Sequence, residues 1–383
     1  MPSSSPFDHL DYRPYPAHSI LESGFTSTNA LTRSILNSLQ PGQEGVPKSD
    51  ILNPPLWEFG HLTWFHEFWV QRRGHVSTPS LLSNADYLFN SSDIAHDDRW
   101  QIDIPSRDAL LEYNTQVMNK THQLLASSID VETAYFMQLS IFHQDMHNEA
   151  FAYMWQTLGY AMPFEPFSSI DPAIRPSAQY IHFPASMLLV GSDRNQGFLF
   201  DNEKWQHEIP LPAFFISEQA VSNAEYLEFI ESSANQSAML PVVIPSHWKK
   251  EGGVWYQRYF NEWRRMCETE PVRHISYIDA KRYCDWRQVR LPNEHELTRL
   301  MRQSPSQWIH SHLWEWTSSV FLPFPGFTPD PYQDYSQPSF DGGYQVLKGW
   351  SMFTPDRLRR PAFRNFYAPG RSDHFCGFRT CLL

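Results

Sequence analysis

Three histidines on two predicted helices are the residues of this chain best suited to chemistry. His143 and His147 are four residues apart in a segment with helical periodicity, and His61 lies in a second such segment far upstream. Residues four apart share one face of an α-helix, so these two imidazoles can bind one ion, with His61 as the natural third ligand. Three neutral imidazoles with open coordination positions are typical of a catalytic metal site. The sequence therefore predicts a metalloenzyme.

The same histidines also have a purely structural interpretation. His143 and His147 lie on the apolar stripe of their helix, and a buried histidine can be satisfied by hydrogen bonds alone. Spacing does not decide between the two interpretations, but His61 also shares its face with aromatic residues, and three inward histidines favour a metal. His66, five residues after His61, falls outside the set and is expected at the surface or in support of a ligand.

Composition indicates a folded protein that has no surface for nucleic acid. The chain has 383 residues, of which 41% are hydrophobic, and its formal net charge is −12. Nucleic acids and anionic membranes are bound by clustered Lys and Arg, which are absent here. The N-terminus lacks a signal-peptide pattern and no apolar run could span a bilayer, so we expect a cytoplasmic protein whose partners are small molecules. The sequence does not indicate an oligomeric state.

Four amphipathic segments predict an up-and-down helical bundle in the first part of the chain. The predicted helices span 19–39, 54–73, 106–127 and 131–159. Asn53 is expected to cap the second helix, because two prolines follow it and proline is favoured in a first turn. A long polar and aromatic connection separates the second helix from the third, and loops of that size are often functional.

The pattern changes after Gly159. A Pro-rich linker is followed by short strands broken by Gly and Pro, with predicted helices at 222–232 and 278–287. The four cysteines have no Cys-x-x-Cys spacing, which indicates free thiols rather than a zinc site or a disulfide framework. The chain is therefore predicted to be α+β with two domains, 1–165 and 166–383.

Ordered landmarks in the second half resemble the domain of formylglycine-generating enzymes and sulfatase-modifying factors, which has a C-type-lectin-like fold. They lie at 220–226, 271–284, 290–297, 313–317, 346–349 and 377–379. The paired active-site cysteines of those enzymes have no evident counterpart, so their activity is not implied.

Together with a DinB-like four-helix bundle, these landmarks make the chain similar to the nonheme iron sulfoxide synthases of ergothioneine biosynthesis and to the selenoneine synthases. Those families use Fe(II) and O2 to join sulfur or selenium to the imidazole C2 of hercynine, which is trimethylated histidine. The resemblance implies His61, His143 and His147 as iron ligands. It also implies a catalytic role for Glu149 in orienting a histidine or the substrate, although an ordinary helix carboxylate is the alternative.

The resemblance further implies a substrate loop at 363–373. Asn365 falls where these synthases hold the carboxylate or betaine end of hercynine, and Phe366 is expected to face the quaternary ammonium.

The donor side of this loop departs from the pattern of the sulfur enzymes. Relatives that take γ-glutamylcysteine usually have an aspartate two residues after the asparagine and an arginine four further on; this chain has Tyr367 and Arg371. A free α-amino cation is stabilised by a carboxylate partner, whereas the flat face of a tyrosine ring can pack against a sugar ring. Arg99 falls where the family places a donor-binding arginine. The resemblance thus implies a selenosugar such as 1-seleno-glucose ahead of γ-glutamylcysteine or cysteine, in a pocket between the domains.

A second departure concerns Phe324, which is expected to contact the substrate and lies near the position of a tyrosine that supplies a proton or electron in many sulfoxide synthases. Phenylalanine can supply neither, so Tyr332, Tyr335 or Tyr367 is expected to replace it. Two other classes stay open: a non-catalytic sugar-binding module, which would need no open metal site, and a DinB-type zinc hydrolase or thiol transferase, which would not need the substrate loop.

Overall fold

The computed structural model describes residues 16–169, 179–193, 195, 197–234, 244–303 and 309–383. By its internal contacts the chain forms two compact units. The first contains the chain up to Met154 and, in addition, Phe198. The second contains Trp155–Asp193 and Leu199–Leu383. The predicted α+β class, with a helical unit followed by a unit that contains sheets, is confirmed.

Five helices form the first unit. They are α1 His18–Ser38, α2 Pro55–His66, α3 Ala85–Phe89, α4 Arg107–Leu125 and α5 Val131–Leu158, whose last turn extends past Met154. Helix α2 continues as a π-helical stretch at Glu67–Gln71. The four helices predicted from the sequence are therefore present, and α3 is a short addition within the long connection.

The start of α2 differs from the predicted one. Pro54 is the residue that precedes the first helical position and Pro55 occupies it, so Asn53 is not the cap. The amide of Asn53 instead donates to Glu58 Oε2 at 2.6 Å, because Glu58 is buried one turn into the helix and needs a donor. The expected capping hydrogen bond is thus replaced by one that holds a carboxylate.

A glycine in α2 brings a neighbouring segment close to the helix. A Cβ added to Gly60 would lie 2.2 Å from the ring of Phe89, so only glycine permits this contact. Phe89 is fully buried at the end of α3. The carbonyl of Phe89 is thereby placed beside the residue that follows Gly60, which is His61.

Four small sheets form the framework of the second unit. The strands are β1 Tyr180–Phe183, β2 Ser186–Val190, β3 His207–Leu211, β4 Phe214–Ser217, β5 Trp248–Glu251, β6 Val254–Tyr259, β7 Glu262–Arg265, β8 Trp314–Val320, β9 Gln345–Gly349, β10 Asn365–Tyr367 and β11 Cys376–Gly377. The largest sheet has the order β10-β9-β8-β11, and β11 is its parallel strand. Strands β5, β6 and β7 form an antiparallel meander, while β1 pairs with β4 and β2 with β3.

Three helices accompany these sheets: α6 Asn223–Ala234, α7 Tyr277–Arg287 and α8 Glu294–Gln303. Helix α8 was not predicted, because it is short and has only three apolar residues, Leu297, Leu300 and Met301. Its N-terminal signal is nevertheless present, since Asn293 Oδ1 accepts from the backbone N–H groups of His295 and Glu296 at 2.9 Å each.

Two buried ion pairs bind β8, α8 and the C-terminal segment together. Arg379 donates to Glu315 at 2.7 Å, and Arg364 donates to both oxygens of Glu294 at 2.8 and 3.0 Å. All four side chains are almost completely buried. Because one partner alone would be an uncompensated buried charge, these pairs fix the register of the segments that contribute them.

The four cysteines are free thiols, as predicted, and three of them are buried. No helix in the described part of the chain is long and apolar enough to cross a membrane.

Candidate metal centre

Helices α2 and α5 bring the three predicted histidines together. One ring nitrogen from each of His61, His143 and His147 lies within 4.8 Å of the others. Nε2 of His143 and Nε2 of His147 are 3.2 Å apart. Spacing of four residues on α5 produces the pair, and the packing of α2 against α5 adds the third ring. The predicted set is thus a real cluster within the helical unit.

His61 is oriented by a backbone carbonyl and an aromatic ring. Its Nδ1 donates to the carbonyl of Phe89 at 2.8 Å, which leaves Nε2 as the acceptor nitrogen. The ring of Trp57 stacks on it with a centroid distance of 5.1 Å and an interplanar angle of 7°. Burial, followed by the proximity of His147, lowers the pKa of His61 to about 3, so this imidazole is neutral.

His147 is oriented by Glu58, a residue that sequence analysis missed. Glu58 Oε1 forms a very short hydrogen bond with Nδ1 of His147, and the carboxylate is 2% exposed. Burial would raise the pKa of Glu58, but the charge and hydrogen bond of His147 outweigh it and lower the pKa to about 2. A carboxylate on the far nitrogen fixes the tautomer in which Nε2 can bind a metal.

The available sequence signal for Glu58 was its position three residues before His61 on one helix. That spacing puts the two side chains on one face. It does not say which histidine the carboxylate contacts, because the contact runs from α2 to α5.

His143 completes the cluster in an apolar setting. Its ring stacks on Phe65 at a centroid distance of 3.6 Å and is 3% exposed. Burial, then the neighbouring His147 and His61, holds the pKa of His143 well below its usual value. Three converging imidazole donors fit a divalent transition metal such as iron or zinc and do not fit the oxygen-seeking Mg²⁺ or Ca²⁺.

His66 lies outside this cluster, as expected, but the expectation of a surface position is wrong. It is 1% exposed, and its two ring nitrogens contact Ser140 Oγ at 2.7 Å and Thr121 Oγ1 at 3.0 Å. A five-residue separation from His61 turns it to a different side of α2, where polar side chains of α4 and α5 satisfy it.

Glu149 lies two residues after His147 on α5 and is also buried. The carboxylate that orients His147 is Glu58, so for this histidine the role expected of Glu149 belongs to another residue. A role of Glu149 toward a substrate stays a prediction.

Arg99 lies near the same cluster. It belongs to the 3₁₀ turn His96–Trp100, and its guanidinium lies 4.0 Å from the ring centroid of Trp57, the tryptophan that stacks on His61. It donates to Asn53 Oδ1 at 2.7 Å, and among the described residues no carboxylate forms an ion pair with it. Burial lowers its pKa, but an arginine stays protonated at neutral pH. A cation is thus held one aromatic ring away from the histidines.

In the second unit, strand β10 contains three of the predicted substrate residues. Asn365 pairs with Leu347 of β9, and its Oδ1 accepts from the backbone N–H of Phe366 at 2.9 Å. The ring of Phe366 stacks on Phe321 at 3.9 Å. Both residues are half-buried. Their predicted roles toward hercynine are not tested by these contacts and stay predictions.

Tyr367 and Arg371 are neighbours in space. The ring of Tyr367 stacks on His374 at 4.1 Å, and the guanidinium of Arg371 lies 5.1 Å from its centroid. Arg371 also forms a two-bond ion pair with Asp373, at 2.6 and 2.7 Å. The charge of this arginine is therefore already compensated within the loop.

Phe324 covers one of the buried ion pairs. Its ring lies 4.2 Å from the guanidinium of Arg364, whose partner is Glu294, and 5.0 Å from the ring of His207. These contacts give Phe324 a packing role in the second unit. Its predicted contact with substrate stays a prediction.

Comparison with known proteins defines the class of this chain. Residues 25–155 match the family model of the DinB superfamily, and residues 167–308 match that of the sulfatase-modifying factor enzyme 1-like domain. The chain therefore has a DinB-like helical segment followed by a segment similar to sulfatase-modifying factors, which confirms the resemblance seen in the sequence.

Named relatives narrow that class. Hercynine oxygenase of Mycobacterium tuberculosis is 25% identical over 86% of this chain and 91% of its own length, and that of Mycolicibacterium smegmatis is 26% identical over the same shares. Ergothioneine biosynthesis protein 1 of Schizosaccharomyces pombe is 29% identical over 48% of this chain and 27% of its own length. These relatives confirm the expectation of an oxidative enzyme.

Proposed function

We propose that this protein is an Fe(II)- and O2-dependent enzyme that joins selenium from a selenosugar to the imidazole C2 of hercynine. The observation behind the proposal is the cluster of three converging histidines, to which Glu58 adds an orienting carboxylate. Such a site has open coordination positions, which a purely structural metal site lacks. The similarity to hercynine oxygenases supports the acceptor substrate.

The residues around the histidines prepare them as ligands. The Phe89 carbonyl accepts a hydrogen bond from Nδ1–H of His61, and the Glu58 carboxylate accepts one from Nδ1–H of His147. Both Nε2 atoms are thereby left able to bind a metal. When bound, Fe(II) would supply the O2 and one-electron chemistry that substitution at an imidazole carbon needs. Burial of His61 and His143 keeps water away from this part of the site.

The acceptor proposal depends on Asn365. Hercynine has a carboxylate and a quaternary ammonium, and an amide side chain can donate to the first while aromatic faces contact the second. The side-chain N–H groups of Asn365 are the donors on β10 suited to that carboxylate, and its Oδ1 is occupied by the backbone.

The donor proposal depends on Tyr367 and the ion pair behind it. A γ-glutamylcysteine donor has an amino cation and two carboxylates, which need charged partners. Tyr367 is neutral, and Arg371 is already paired with Asp373. A selenosugar has no such charges, and it can lie on the tyrosine ring and use its hydroxyl group. That these residues and Arg99 share one pocket stays a prediction.

Sulfur transfer from γ-glutamylcysteine or cysteine is the second candidate function. Two observations favour it: the names of the curated relatives, and Arg99, whose charge has no ion-pair partner among the described residues. A carboxylate of the sulfur donor would fit that guanidinium.

A donor competition distinguishes these candidates. Iron-loaded protein would be given hercynine and O2 with 1-seleno-glucose, γ-glutamylcysteine or cysteine, and products would be identified by mass spectrometry. We expect faster C–Se than C–S bond formation. Faster turnover of γ-glutamylcysteine would reject the assignment of selenium as the transferred element. If hercynine stayed unchanged with every donor, the proposed enzymatic activity would be rejected.

A further inference from the structure

A second concave site lies in the β5–β7 meander and the loop that follows it. It is a cavity of about 250 Å³. The residues that line it and matter here are Gln257, Tyr259, Arg264, Arg265, Cys267 and Arg273. None of them belongs to the predicted metal centre or substrate loop.

Strand geometry explains why polar side chains collect there. Gln257 and Tyr259 are two residues apart on β6 and so share one face, and Arg264 is the direct partner of Gln257 on β7. The chain then turns back, and Arg273 donates to Gln257 Oε1 at 3.0 Å. The meander thus supplies one wall, and the loop after it supplies the other.

The wall is positively charged in a chain that is acidic overall. The guanidinium groups of Arg264 and Arg273 lie 4.8 and 5.3 Å from the same ring, that of Tyr259. Glu270 pairs with Arg273 at 3.1 Å, and the exposed Glu262 pairs with Arg264 at 2.7 Å. Within the described part of the chain Arg265 has no ion-pair partner. Arg264 and Arg273 are thus already paired, and Arg265 leaves an excess of positive charge that favours an anion.

Two buried donors at this cavity point more directly to a ligand. Arg273 is 8% exposed and Gln257 is 3% exposed. Nε of Arg273 and Nε2 of Gln257 have no hydrogen-bond partner in the described structure. Because a buried N–H without a partner is costly, an acceptor bound within hydrogen-bond reach of these two groups would stabilise them.

We propose that this cavity binds a small organic oxyanion, a carboxylate or a phosphate monoester, at a site separate from the histidine cluster. Oxygen acceptors would take the N–H groups of Arg273 and Gln257, while Arg264 and Arg265 supply the charge at the rim. The volume lies below the range of about 300–1,000 Å³ of sites for drug-sized ligands, so the ligand is small.

Isothermal titration of the full chain with malonate and, separately, with inorganic phosphate tests this at constant ionic strength. We expect saturable one-to-one binding of at least one anion. Arg265→Gln and Arg273→Gln should each weaken it about tenfold or more, since each removes a charge-assisted contact. The matched control is Arg287→Gln, which removes the same charge from an exposed side chain elsewhere in the unit and should leave binding unchanged.

Cys267 provides an independent readout. It lines the cavity and is half-buried, whereas the other three cysteines are buried. Iodoacetamide should therefore alkylate Cys267 in the folded protein, and a saturating anion should slow that reaction. Malonate binding without phosphate binding would identify a carboxylate site, and the reverse a phosphate site.

The proposal is overturned if neither anion binds or if Arg265→Gln and Arg287→Gln reduce binding equally. Should Arg273→Gln fail to fold, the exposed Arg265 variant decides alone.

Discussion

At the scale of single residues, Glu58 is the clearest addition that the structure makes to the sequence. His143 and His147 could be selected from spacing, because four residues on a helix fix a shared face, and His61 from the aromatic face of its own helix. Glu58 could not be assigned, because its partner His147 is 89 residues away and becomes a neighbour only when α2 and α5 pack. Sequence distance therefore conceals the residue that sets the tautomer of a ligand.

Replacing this carboxylate should weaken metal binding without unfolding the protein. Glu58→Gln keeps the shape and a hydrogen bond but removes the charge, and loss of such a supporting carboxylate typically costs about 10–100-fold in metal affinity. Metal content by mass spectrometry, with circular dichroism for the fold, measures this. His143→Ala should lose the metal entirely, and Glu112→Gln, an exposed glutamate on α4, should retain it. Unchanged affinity in Glu58→Gln would refute the orienting role.

Tyr367 should set the preference between donors. Tyr367→Asp introduces a carboxylate that can pair with the amino cation of γ-glutamylcysteine, and a charge-assisted contact is worth about 1.5–3 kcal/mol. We expect the ratio of kcat/KM for γ-glutamylcysteine over 1-seleno-glucose to rise about 10–100-fold. Tyr87→Asp, at a tyrosine 70% exposed in the helical unit, makes the same change away from the loop and should leave the ratio alone. An unchanged ratio in Tyr367→Asp would show that this side chain does not contact the donor.

At the scale of elements, the predicted long helices of the first unit agree with the structure, whereas one short helix of the second unit was missed. The bundle helices begin and end within two residues of the predicted bounds, apart from the second, whose last turns are π-helical. Helix α8 was missed because it is short and only three of its ten residues, Leu297, Leu300 and Met301, are apolar. Asn53 was assigned as a cap from local sequence, but a buried carboxylate one turn away competes for its side chain.

The contact between α2 and the segment ending at Phe89 should be sensitive to a single methyl group. Gly60→Ala would place a Cβ 2.2 Å from the Phe89 ring, so the segment must move. Overpacking of this kind costs about 1–3 kcal/mol of unfolding free energy, and it should also weaken metal binding because the Phe89 carbonyl orients His61. Urea unfolding measures the first effect and metal titration the second. Gly45→Ala, which meets nothing within 4 Å, is the control, and equal stability of the two variants would contradict the prediction.

At the scale of the whole molecule, buried neutral histidines make the unfolding free energy depend on pH in the mildly acidic range. Burial is the largest cause that lowers the pKa of His66 and of His374 to about 3 and that of His247 to about 4, from 6.5. Between these values the unfolded chain binds protons that the folded chain does not. The unfolding free energy is therefore full above pH 6.5 and falls as the pH drops below it, by up to about 1.4 kcal/mol per pH unit for each histidine.

Urea unfolding of the metal-free protein at pH 7 and pH 5 should show this loss. His374→Phe should make the slope shallower, since both ring nitrogens of His374 lack hydrogen-bond partners in the described structure and the substitution breaks none. His75→Phe, at an exposed position, should leave the slope unchanged. A free energy that is constant from pH 7 to pH 5 would rule out buried neutral histidines as a group.

The burial of three thiols determines which side chains of this protein are oxidised in air. Burial raises the pKa of Cys284 to about 12 and keeps the thiols of Cys376 and Cys381 protonated as well, so none of the three offers the thiolate that peroxide attacks. In the described part of the chain, the half-buried Cys267 and Met187, which is 56% exposed, are sulfur-containing residues that an oxidant can reach. Methionine sulfoxide and the first oxidation product of a thiol are both reduced by cellular enzymes or thiols. Oxidation should therefore begin at side chains whose first oxidation products can be reduced again.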